Sequence, residues 1–237
     1  MDWVYPSTLL PLGDFILATR ARMEYCAPLD AGVENYLSVM LDAQIIPRSS
    51  KSYVPFARLP RDDVRRGETV LHGLYPPDGD WVCYGGRSTY MLLIDELTAN
   101  IYDHSEFDNA MVMAQRYDKK EFVELCIFDN GITIKGSFEK HLNAKWTGLQ
   151  SIEEAISGTS TKSNKERGTG LQNTIRLVTE GMQGQIMIVS GDGLVYHNFS
   201  DTLGYNLITE ANKLNGTLIS VRFPIQLKEV PWHEIIK

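Results

Sequence analysis

Four short stretches carry residue types that could do chemistry. In IDELTANIYDHSEF (94–107), Glu96, Asn100 and His104 recur every four residues. An α-helix turns about 100° per residue, so these side chains share one face, with Asp103 between the last two. Such a face can hold a ligand or simply meet water, and the stretch alone does not choose. In IFDNGIT (127–133), Asp129 directly follows an apolar strand and would stand at its end, facing whatever covers the sheet. Gly131 then permits a tight turn or a close ligand approach; an ordinary Asp-Asn-Gly turn has the same letters. In RGTGLQNTIRLV (167–178), Gly168, Thr169 and Gly170 lead into an amphipathic helix at Leu171. Backbone N–H groups at a helix start have no intrahelical partner, and with the helix dipole they favour a phosphate. No strand precedes these glycines, and neither a third glycine in phase nor a Gly-Lys-Ser/Thr follows. A dinucleotide fingerprint and a Walker loop are therefore both disfavoured. In NGT (215–217), Thr217 opens the last strand, as a ligand partner or as an ordinary β-branched strand residue.

The elements that must position these residues read as follows. Ser88 can cap the helix carrying Glu96, whose core stripe would be Tyr90, Met91, Ile94, Ile101 and Tyr102. Residues 109–118 and 121–129 predict adjacent antiparallel strands. Residues 130–167 predict a long polar region with one short helix over 151–157. A second helix follows at 170–182, then a strand at 184–193 ending in a Gly-Asp-Gly turn, a hairpin partner, and a final strand at 215–225. Earlier, a helix is predicted over 30–46 with Asp30 as N-cap, and an edge strand over 52–59 because Pro55 interrupts it. Helices with mostly antiparallel strands in this proportion predict an α+β two-layer sandwich.

Composition narrows the function classes. The chain has 237 residues, 43% hydrophobic and 22% charged, with net charge −7. That balance argues against non-specific binding to nucleic-acid phosphates. Cys26, Cys83 and Cys126 are far apart and odd in number, which predicts free thiols in a reducing cytosol and no zinc site. No signal peptide and no membrane span are expected.

Each motif is weak alone, but their order is specific. Glu-x-x-x-Asn on a helix, Asp-x-Gly after a strand, a polar stretch, Gly-x-Gly-Leu before a helix and Gly-Thr on the last strand follow one another over residues 88–225. This set resembles the ATP-binding domain shared by sensor histidine kinases, gyrase, the heat-shock chaperone and mismatch-repair ATPases, the GHKL superfamily. The resemblance implies a Bergerat-type fold, a mixed, mostly antiparallel sheet covered by helices on one face. It implies an ATP-binding domain over 88–225 with a lid over 132–167, an N-terminal extension over 1–87 and a tail over 226–237. It implies that Glu96 is catalytic, orienting or deprotonating an attacking water, and that Asn100 gives an oxygen to Mg²⁺. Asp129 would take the adenine amino group, supported by Thr217, with Gly131 and Ile132 beside the base. Gly168, Thr169, Gly170 and Leu171 would meet the phosphates along with His104, and Lys162 and Arg167 would approach the γ-phosphate from the lid.

The sequence also departs from that family. Thr133 stands where the family usually has a second glycine, which predicts a stiffer start to the lid. Asp103 stands where sensor kinases often carry a basic residue. No phospho-acceptor box of the His-Glu-x-x-x-Pro kind precedes the domain, so a complete sensor kinase is not expected. The Ser-Thr-Lys at 160–162 looks like stand-alone regulators of the anti-sigma-kinase kind. The expectation is a cytoplasmic ATP- and Mg²⁺-binding regulatory protein, with protein serine/threonine kinase activity on a partner protein as its form of turnover. The alternatives are a nucleotide-driven dimerising ATPase of the gyrase and chaperone type, or a non-catalytic ATP-binding scaffold.

Overall fold

The computed structural model describes residues 5–19, 30–41, 52–61, 81–159, 161, 170–206 and 213–236. Its centre follows from period-two alternation. Along β3 (Phe122–Asp129), Val123, Leu125 and Ile127 point to one side of the sheet, and Glu124, Cys126 and Phe128 to the other. Both sets are buried, so both sides need a cover.

Seven strands form one sheet: β1 (Tyr53–Leu59), β2 (Ala110–Tyr117), β3, β4 (Gln185–Gly191), β5 (Gly193–Asn198), β6 (Thr202–Asn206) and β7 (Leu214–Pro224). Their order is β1-β2-β3-β7-β4-β5-β6, and every neighbouring pair is antiparallel. The protein is thus an α+β protein with a seven-stranded antiparallel sheet packed against helices. The last strand in sequence sits in the middle. It aligns Asp129 of β3, Thr217 of β7 and Ser190 of β4 in one row across three strands.

The helices are α1 (Pro6–Thr19), α2 (Ala31–Leu41), α3 (Arg87–His104), α4 (Thr133–Leu142), α5 (Gly148–Ile156), α6 (Gly170–Arg176, continuing as a π-helical turn over Leu177–Gly181) and α7 (Trp232–Ile235). On one face, Leu93, Ile94, Leu97 and Ile101 of α3 meet Leu125, Ile127, Ile219 and Val221, with Ile152 of α5 and Ile175 of α6 in the same core. On the other face, Leu9 and Leu10 of α1 and Val33, Leu37 and Met40 of α2 cover Phe56, Met111, Met113, Cys126 and Phe128.

Several expectations differ from this. Helices lie on both faces rather than one, and among the described residues the sheet is wholly antiparallel rather than mixed. The reason is the alternation itself: Met111, Met113 and Phe128 would otherwise be a bare apolar surface. The polar stretch 130–167 holds two helices, α4 as well as α5, the latter started by a capping box of Thr147 with Gln150. Ser88 does not cap α3; the helix starts at Arg87 after Gly86, whose φ of 96° only glycine adopts easily. The core stripe of α3 runs through Leu93 and Leu97, while Met91 and Tyr102 are half-buried. Asp30 does cap α2, accepting from the Gly32 and Val33 N–H groups at 2.7 and 3.1 Å. The strand of residues 53–59 does lie at an edge, with an irregular register around Pro55. After β7 the chain returns to α3: the Val230 carbonyl accepts from the Thr89 hydroxyl at 3.0 Å. No helix among the described residues is long and apolar enough to cross a membrane. Cys83 and Cys126 are free thiols, and Cys26 lies outside the described residues.

Candidate functional site

A groove opens between α3, α4 and the start of α6, with the ends of β3 and β7 as its floor. Glu96, Asn100, His104, Asp129, Gly170, Leu171 and Thr217 all line it. Residues spread over more than a hundred positions thus meet in one place. Gly131 and Ile132 lie beside the groove rather than on its wall, and the exposed Asp103 is not part of it. Lys162, Arg167, Gly168 and Thr169 lie outside the described residues.

Asp129 is at the bottom. It is in phase with Ile127, so its side chain points to the α3 side of the sheet, and only 4% of it is exposed. Its Oδ1 accepts the Gly131 N–H at 2.9 Å. Burial pushes its carboxyl up to about 7, against the opposing pull of the Gly131 N–H and the Ser105 hydroxyl. The Ser105 hydroxyl stands beside the carboxyl without a hydrogen bond of good geometry. No cation forms an ion pair with Asp129 among the described residues. The tight turn after it explains Gly131, because a Cβ there would lie 2.0 Å from the Ser105 carbonyl oxygen. The Ile132 N–H also donates to that carbonyl, at 2.7 Å. Gly131 therefore seats the Asp129 turn on the end of α3, where the sequence resemblance gives its space to a ligand.

The other wall is built on α3 and α6. Gly170 abuts Glu96 so closely that a Cβ would lie 2.4 Å from the Glu96 Oε2. The carboxylate and the start of α6 therefore lie close together. His104 Nδ1 is 2.9 Å from the Thr161 hydroxyl, which joins the end of α3 to the segment before α6.

The site includes residues that the sequence reading missed. Helix α4 presents Ile134, Ser137 and Phe138 to the groove, and their i, i+3, i+4 spacing in TIKGSFEKHL is the one faint signal of this face. Thr133 also lines it, at φ 66°, the left-handed region that favours glycine. Three buried polar atoms on these walls have no hydrogen-bond partner among the described residues: Asn100 Nδ2, Ser105 Oγ and Ser137 Oγ. Each such group costs about 1–3 kcal/mol when left dry, so together they mark a place for a polar ligand or for water.

Comparison of the chain with family models, curated proteins and solved structures gave no match. The groove itself carries the functional reading.

Proposed function

We propose that the groove binds an adenine nucleotide with Mg²⁺, and that the protein is an ATP-dependent regulator of the histidine-kinase-like ATPase class with a Bergerat-type fold. Its proposed form of turnover is phosphoryl transfer to a serine or threonine of a partner protein. The observation that carries this reading is Asp129, a buried carboxyl that has no ion-pair partner among the described residues, at the bottom of a groove ringed by polar atoms likewise unpartnered among them. Such a group destabilises the empty protein and is the kind found at functional sites. When ionised it only accepts hydrogen bonds, so it suits the amino group of adenine and repels the carbonyl of guanine.

The residues present fit Mg²⁺ as a nucleotide-borne ion. Among the described residues no group of three or more His, Cys, Asp or Glu could hold a metal, so those residues offer no cage. Mg²⁺ needs none where phosphates and water fill its octahedral shell. Asn100 would supply the neutral oxygen, since its amide can turn to present either end and its nitrogen has no partner among the described residues. The ion would neutralise phosphate charge. Glu96, one helical turn before Asn100 and pressed against Gly170, is placed to hold the proton of an attacking hydroxyl.

Calorimetry with Mg-ATP and Mg-GTP tests this reading. Loss of one charge-assisted hydrogen bond, and a repulsive contact in its place, should make ATP bind at least roughly 30-fold more tightly. Equal affinity for the two, or binding of neither, overturns it.

A further inference from the structure

The row of side chains behind the floor of the groove has a direction. Helix α4 starts at Thr133, and Ile132, at the N-cap position before it, has no side chain able to cap it. Its second N–H, that of Ile134, donates instead to Ser190 Oγ on β4 at 2.8 Å. Ser190 Oγ is in turn 2.9 Å from Thr217 Oγ1. Ser190 is 1% exposed, so water does not compete for its hydroxyl. Either hydroxyl can donate in that pair, but among the described residues Ser190 has no second acceptor within reach, so its buried proton is assigned to Thr217. That leaves the Thr217 proton to point into the groove, beside Asp129 in the paired strand.

We propose that Ser190 is a positioning residue that fixes Thr217 as a hydrogen-bond donor and ties that choice to the start of α4. This deepens the nucleotide reading above and rests on it. The floor then shows an acceptor, Asp129, next to a donor, Thr217. The complementary ligand edge is a donor next to an acceptor, an exocyclic amine beside an unprotonated ring nitrogen. A carbonyl beside a ring N–H is mismatched at both points. Ser190 thus sets specificity without touching the ligand. Because its other bond caps α4, the same hydroxyl joins the floor of the groove to the wall carrying Ser137 and Phe138.

A double-mutant cycle on Ser190→Ala and Thr217→Val tests this, with Ser190→Thr as the variant that keeps a hydroxyl. Calorimetry with Mg-ATP and Mg-GTP gives the discrimination ratio, and amide exchange reports on residues 133–142. Ser190→Ala should reduce the ATP-over-GTP ratio roughly five- to tenfold, the worth of one neutral hydrogen bond. It should also speed exchange at Ile134. Adding Thr217→Val should reduce the ratio little further, because both changes break the same link. Ser190→Thr should keep most of the ratio. If Ser190→Ala alters exchange but not discrimination, or if the two substitutions add independently, the positioning role is overturned. Should Ser190→Ala not fold, the Thr217→Val and Ser190→Thr proteins decide: unchanged discrimination in Thr217→Val overturns the proposal. Wild-type protein that binds neither nucleotide overturns the nucleotide reading instead, a result distinct from any of these.

Discussion

Two buried carboxyl groups sit on the same strand, five residues apart and on opposite faces of the sheet. Glu124 faces α1 and has no exposed surface, yet it is fully partnered. Arg222, directly across on β7, approaches its Oε2 at 2.8 Å, and the Ser7 N–H at the start of α1 approaches its Oε1 at 3.2 Å. The Arg222 guanidinium is itself sandwiched by Tyr5 and Phe122, 4.8 and 4.6 Å from their ring centres. Among the described residues, Asp129 faces the groove with one backbone N–H and no cation, and its neighbours Asn100, Ser105 and Ser137 keep unpartnered atoms. Burial alone therefore does not mark function. The incomplete partner set does, because a charge paired inside the protein is architecture and one left waiting needs something from outside.

The largest expected loss of stability is on the satisfied side. Arg222→Leu removes the cation from Glu124 and leaves a carboxyl with no exposed surface. Breaking a buried pair in this way costs about 3–5 kcal/mol, and because the Arg222 side chain is 32% exposed the lower end is expected. Urea unfolding at pH 7 measures it. A loss below about 1 kcal/mol would mean that water reaches Glu124, and the contrast between the two acids would collapse.

Asp129→Asn should act in the opposite direction on the empty protein. The Asp129 carboxyl is raised from 3.8 to about 7, so the folded state holds its proton more tightly than the unfolded chain does. That stabilisation is complete below about pH 4 and is lost as the pH rises through 7. At pH 8 the charged side chain is a burden on the order of 4 kcal/mol, which a neutral amide in its place would not carry. The variant should therefore unfold at higher urea than wild type at pH 8, with little difference at pH 4, while binding ATP at least roughly 30-fold more weakly. In the wild type, ATP affinity should rise with pH up to about 7 and then level off, because the accepting form is the ionised one. Affinity that stays flat between pH 6 and 8 would separate Asp129 from the ligand.

The two faces also differ in how far they could be read from sequence. The strands were legible because β2, β3 and β7 are nearly continuous apolar runs bounded by turn residues, and the Gly-Asp-Gly turn between β4 and β5 marks its own hairpin. Glu96, Asn100, Asp129 and Thr217 were legible as a set because short-range spacing and chain order carried them. The cover on the second face was not. Leu9, Leu10 and Met40 look like any amphipathic helix residues, and nothing local says which surface they meet. Helix α4 was missed because Gly136 and three charged residues hide its Ile134, Ser137 and Phe138 face. Ser190 was invisible for a different reason: its role depends on β7 lying between β3 and β4, a long-range pairing that no window of sequence contains.

The smallest effect concerns the strain stored on the groove side. Thr133 starts α4 at φ 66°, a conformation costing a β-branched residue about 1–2 kcal/mol. It repays part of this locally, since its hydroxyl accepts the Gly136 N–H at 3.1 Å. The sequence resemblance implied glycine at this position, and the backbone found here is one that glycine would adopt freely. Asparagine also tolerates the left-handed region and keeps a short side chain able to cap. Thr133→Asn should therefore stabilise the protein by about 0.5–1 kcal/mol. Thr133→Gly should change it less, because relief of strain is offset by the greater freedom of glycine in the unfolded chain. Thr133→Val keeps the strain and loses the cap, so it should be the least stable of the three. The order Asn, Gly, Val in urea midpoints checks this. Were valine as stable as asparagine, the turn into α4 would not be strained, and the stored cost on the groove side would rest on Asp129 and its unpartnered neighbours alone.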